Sequence, residues 1–68
     1  MTKDGFVEFL KRAGFAASIE DGIVTVSLVD ASKAEVSKCF GQIKLSANKV
    51  GYKHSFRVVS LKEDKENG

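Results

Sequence analysis

The sequence predicts an α+β fold: a two-layer sandwich of αββαβ order, with two helices packed on one face of a three-stranded mixed sheet. Three observations carry this reading. Two segments space their apolar residues as helices do, an Asp-Gly pair joins two alternating segments, and a β-rich segment follows the second helix.

The first helix is expected from Lys3 to Ala13, with Phe6, Phe9, Leu10 and Ala13 on one face. Thr2 is placed to cap it, and Glu8 precedes Arg12 by one turn in the orientation that favours an ion pair. Gly14 supplies a left-handed residue to end the helix, so that Phe15 folds back onto Leu10.

Asp21-Gly22 signals a two-residue type I′ turn. Centring a hairpin there pairs Glu20 with Ile23, Ile19 with Val24, Ser18 with Thr25, Ala17 with Val26, Ala16 with Ser27 and Phe15 with Leu28. Directly opposed residues share a face. One face therefore collects Phe15, Ala17, Ile19, Val24, Val26 and Leu28, and the other collects Ala16, Ser18, Thr25 and Ser27. A slip of one residue would mix the two sets.

Ser32-Lys33-Ala34-Glu35 fits a capping box, and the second helix is expected from Lys33 to Val50 with Val36, Cys39, Phe40, Ile43, Ala47 and Val50 as its apolar stripe. Gly51-Tyr52 repeats the Gly14-Phe15 ending. The last strand is expected from Lys53 to Leu61, with His54, Phe56 and Val58 facing inward and Lys53, Ser55, Arg57, Val59 and Leu61 facing out. Because a helix connects them, the second and third strands should be parallel with a right-handed crossover. Only one sheet face is apolar throughout, so both helices should cover that face and leave the other bare. Residues 1–61 read as one domain, and 62–68, Lys-Glu-Asp-Lys-Glu-Asn-Gly, as a disordered charged tail.

At 68 residues the chain has room for a small core only. One cysteine forms no internal disulfide, and Cys39 with His54 supplies too few ligands for structural zinc, so neither metal nor cofactor is expected. Self-association is the remaining source of added stability. The absence of a long apolar run, of a signal-like start and of paired cysteines points to a cytoplasmic protein with no membrane partner.

Charge is unevenly distributed. Residues 36–62 contain Lys38, Lys44, Lys49, Lys53, Arg57 and Lys62 and no acid, whereas the acids cluster before and after. Such a stretch is a candidate contact for nucleic-acid backbone, through Lys38, Lys44, Lys49, Lys53 and Arg57. The same lysines equally serve to solvate a helix and guard an edge strand, and the outward sheet face lacks aromatic residues for stacking bases. The alternative candidate is a protein-interaction or homodimer surface on the bare sheet face, where Ile23, Val29, Val59 and Leu61 lie by parity. Enzymatic chemistry finds little support: His54 has no acid near it in sequence, Cys39 lies on the apolar stripe, and no glycine-rich phosphate loop is present.

The segment Phe9-Leu10-Lys11-Arg12-Ala13-Gly14-Phe15, followed by a hairpin, resembles the opening of the small HicA-type RNA-cleaving toxins. That family carries a Gly-Ser-His motif with its catalytic histidine in the hairpin. The corresponding stretch here, Ser18-Ile19-Glu20-Asp21-Gly22, has no histidine, and the later element order differs. The sequence therefore reads as a small non-enzymatic binding module.

Overall fold

The computed structural model describes residues 1–62. The elements follow in the order α1 (Lys3–Arg12), β1 (Ala16–Glu20), β2 (Ile23–Val29), α2 (Lys33–Val50) and β3 (Phe56–Leu61), an α+β arrangement with both helices against one three-stranded mixed sheet. Apart from Lys62, the expected charged tail lies outside the described residues.

Local chemistry accounts for the element ends. Thr2 Oγ1 accepts from the Gly5 amide at 3.0 Å and starts α1. At its end, Phe15 N–H donates to Leu10 O at 2.9 Å and Gly14 N–H to Lys11 O at 3.0 Å, with Gly14 at φ 99. These are the two bonds of a Schellman ending. The other helix repeats the device. Tyr52 N–H donates to Ala47 O at 2.8 Å across Gly51, whose φ is 75. Ser32 and Glu35 form the reciprocal capping box at the start of α2, with bonds of 3.2 and 2.8 Å.

The hairpin register is the one the turn dictates, from Glu20↔Ile23 through Ala16↔Ser27. Asp21 and Gly22 both have positive φ, 55 and 74, as a type I′ turn requires. β3 lies beside β2, parallel to it, and pairs from Val24↔Phe56 to Val29↔Leu61. β2 is thus the central strand, and the strand order is β1-β2-β3.

The core comprises Phe6, Val7, Leu10, Ala17, Val24, Val26, Cys39, Ile43, Ala47 and Tyr52. Phe6 stacks on Tyr52 with ring centroids 4.2 Å apart. Phe56 lies between Phe6 and Phe40, 6.4 and 5.0 Å from their rings. Burial raises the pKa of both the Cys39 thiol and the Tyr52 phenol, because each would have to ionise away from water.

Several expectations are corrected. Val7 is buried and Ala13 exposed, because the buried face of α1 centres on Leu10 and Ala13 is the cap residue beyond the last turn. Glu8 pairs with Lys11 at 3.9 Å and not with Arg12. Ile19 faces the helices by register yet stays 39% exposed, since β1 is an edge strand. β3 begins at Phe56 and not at Lys53: Tyr52 turns inward onto Phe6, and its hydroxyl donates to Ser55 O at 3.2 Å, holding Lys53–Ser55 as a loop. His54 is consequently exposed, edge-on to the Tyr52 ring at 5.5 Å, and is not an inward strand residue. Gly41 faces open space, so close helix approach is not its role.

Two predictions follow from these ends and this core. Alanine at Gly51 meets no steric obstacle but must adopt the left-handed conformation, and should cost about 1–2 kcal/mol in urea unfolding. The same substitution at Gly41 should instead stabilise the chain by about 1 kcal/mol. The buried thiol and phenol set the second. The unfolded chain loses these protons first, from the ordinary values of 9.0 and 10.0 upward. Their contribution to stability is therefore complete below that range and is lost as pH rises through the elevated native values. Unfolding midpoints followed by circular dichroism should stay level near neutrality and fall in alkali.

Candidate functional site

The pairing of β1, β2 and β3 places Ser18, Thr25 and Arg57 in one row on the face away from the helices. Ala16, Ser27 and Val59 form the next row, and Val29 with Leu61 the last. This face divides into two halves of different chemistry.

The half near the hairpin turn is a closed polar clasp. Arg57 Nε donates to Thr25 Oγ1 at 2.9 Å, and Thr25 in turn donates to Ile23 O at 3.1 Å. The guanidinium extends across β2 until Nη2 is 3.9 Å from Glu20 Oε1 and 3.8 Å from Asp21 Oδ2. Ser18 Oγ donates to the other Glu20 oxygen at 3.1 Å. Thr25 is fully buried, on the side of the sheet that no helix covers. The stem of Arg57 provides cover above it, as long cationic side chains commonly do. The carboxylates are exposed, so the ion pairs add little energy and mainly fix the direction of Arg57.

The other half is apolar. Val29 and Leu61 are 63% and 52% exposed, Val59 is half-buried, and Ala16 and Ser27 complete the surface. Of the four interaction residues expected from sequence, the structure brings Val29, Val59 and Leu61 together. Ile23 lies apart, half-buried at the hairpin end opposite Glu20.

The candidate nucleic-acid residues are dispersed. At 100° per residue, Lys38 and Lys49 share one flank of α2 with the exposed Leu45, while Lys44 falls on the opposite flank with Phe40. Lys53, expected on the bare sheet face, sits in the loop before β3. Arg57 is on that face but is held by the clasp. No single groove aligns the five cations.

Sequence reasoning missed two features of α2. Phe40, expected in the core stripe, is 41% exposed, at the margin beside β3. A cleft of about 400 Å³ lies there, lined by Ala31, Lys33, Val36, Ser37, Phe40 and Ser60. Ser60 Oγ both donates to Ala31 O and accepts from Ala31 N–H, each at 3.0 Å, and so ties the start of α2 to the end of β3. The wheel position of Phe40, at the edge of the apolar stripe, was the available signal. Across α2, a second hollow of about 470 Å³ has Phe15, Leu28 and Cys39 at its base and Glu35, Lys38 and Gln42 at its rim. Among the described residues no group of three or more His, Cys, Asp or Glu side chains could hold a metal ion, and no helix is long and apolar enough to cross a membrane.

The clasp makes a testable distinction between stem and charge. Arg57→Ala uncovers Thr25 and removes its donor, and should cost about 1–2 kcal/mol in chemical unfolding. Glu20→Gln, which removes only an exposed ion pair, should change stability by less than about 0.5 kcal/mol.

Comparison with known protein families, with curated proteins and with solved structures finds no match to this chain.

Proposed function

We propose that the chain is a non-enzymatic binding module that docks a protein partner on the apolar half of its uncovered sheet face. The observation that supports this reading is the union of Val29, Val59 and Leu61 in adjacent rows with Ala16 and Ser27. Aliphatic side chains at such positions gain by leaving water, and a contiguous group of them rimmed by hydroxyls is the usual form of a contact surface. The complementary partner surface is itself apolar, because these residues offer neither charge nor an aromatic platform.

Contact with nucleic acid is the competing function. Backbone binding needs cations that follow one phosphate path, and sheet-face recognition of single strands uses exposed aromatic rings. The dispersal of Lys38, Lys44, Lys49 and Lys53 and the engagement of Arg57 with Glu20 and Asp21 favour the protein partner.

Amide-shift titrations separate the two. An apolar anionic dye, anilinonaphthalene sulfonate, should shift Ser27, Val29, Val59 and Leu61. Val29→Lys and Leu61→Lys should abolish those shifts, and Lys38→Glu with Lys49→Glu should leave them. Short single- and double-stranded DNA and RNA should produce no salt-dependent shifts. Salt-sensitive shifts at Lys38, Lys49 and Lys53 would reject the protein-docking reading in favour of backbone binding.

A further inference from the structure

β3 forms one edge of the sheet, and among the described residues that edge lacks the usual guards. Proteins blunt exposed strand edges with lysine, proline, a bulge or a covering segment. The strand reads Phe-Arg-Val-Val-Ser-Leu, without lysine or proline, and pairs residue for residue with Val24–Val29, leaving no bulge. Its one charge, Arg57, is drawn away from the edge, over Thr25 toward Glu20 and Asp21. What remains is a six-residue strand of high β-propensity whose outer side no other described strand pairs.

The groups on that side can be assigned. Leu61 O accepts from the Asp30 amide at 2.8 Å, so the backbone of Leu61 points toward β2. Backbone direction alternates along a parallel strand, so Arg57 and Val59 point the same way. Phe56, Val58 and Ser60 therefore turn their N–H and C=O groups outward.

We propose that a second copy of this chain pairs with the first through β3, edge to edge and antiparallel, forming one six-stranded sheet. With the two-fold axis at Val58, each Val58 faces its counterpart and exchanges both backbone bonds with it. Phe56 then faces Ser60 of the other copy, and Arg57 faces Val59, so no like charges are opposed. The contact is isologous and closes at two copies, whereas joining β3 to the β1 edge of another copy would propagate without closing. An axis perpendicular to the sheet keeps both α2 helices on one face. It brings the exposed Phe40 margins and their apolar clefts toward each other. On the opposite face, Val59 and Leu61 of the two copies join into a single apolar strip. The pairing rests on the edge itself and is independent of what the uncovered face binds.

The test is amide hydrogen exchange on labelled protein at high and low concentration, with sedimentation to give the mass. At high concentration the mass should be twice that of the chain. The Phe56, Val58 and Ser60 amides should then exchange at least about tenfold more slowly than at low concentration. Arg57, Val59 and Leu61 amides should be protected at both. Val58→Pro removes the central outward donor without touching the β2 ladder and should give a monomer; Phe40→Lys should weaken association. The wild-type exchange pattern decides the matter even where Val58→Pro fails to fold. A monomeric mass throughout with freely exchanging Phe56, Val58 and Ser60 amides would overturn the proposal. So would a dimer that leaves those amides unprotected and is dissociated by Leu61→Lys, which would move the contact to the sheet face and leave the docking reading intact.

Discussion

Phe6 and Tyr52 stack with their planes 12° apart, and this pair joins α1 to the segment that follows α2. Each ring reaches its place through a backbone device. Phe6 lies on the buried face of α1, whose start is held over the hairpin by Lys3 Nζ donating to Gly22 O at 2.6 Å. Tyr52 is turned inward by the left-handed Gly51 and the bond from its amide to Ala47 O. The stack in turn determines where β3 can begin, because the chain must first bury the phenol and then loop through Lys53–Ser55. Phe56, the first residue of β3, completes the cluster against Phe6 and Phe40.

Two helices suffice to cover one face of a three-stranded sheet and no more. The other face must therefore be solvated, covered by its own side chains or covered by a partner. This chain combines these solutions along a single surface. Near the hairpin turn, Arg57 lies down over Thr25 and is held there by Glu20 on the far strand β1 and Asp21 in the turn. Farther along, Val29 and Leu61 are exposed beside the half-buried Val59. The contrast comes from the parallel register, which sets Arg57 beside Thr25 and Leu61 beside Val29.

The candidate site was legible only in part. Parity alone identified the outward residues of the hairpin, because turn chemistry and apolar alternation agree from Glu20 to Ser27. It could not rank them. Ile23 and Val29 are both outward and apolar, but Ile23 is half-buried at the hairpin end and Val29 is exposed beside Leu61. A run of basic residues in sequence was likewise no guide to a basic surface. A helix sends Lys38 and Lys44 to opposite flanks, and acids distant in sequence from Arg57 claim its charge.

The sequence by itself determined whatever depends on neighbours a few residues apart. The type I′ hairpin and its register, the capping box at Ser32–Glu35 and the paired glycine endings at Gly14 and Gly51 are of this kind, since each closes through short-range backbone bonds. Only the tertiary structure decided the relations between distant segments. The side of the hairpin on which β3 lies, its start at Phe56, the burial of Val7 over Ala13 and the exposure of Phe40 all follow from packing. The physical reason is that a parallel crossover has no turn to set its register. Its placement follows from burying Phe56 and Val58 beneath α2, next to Val24 and Val26.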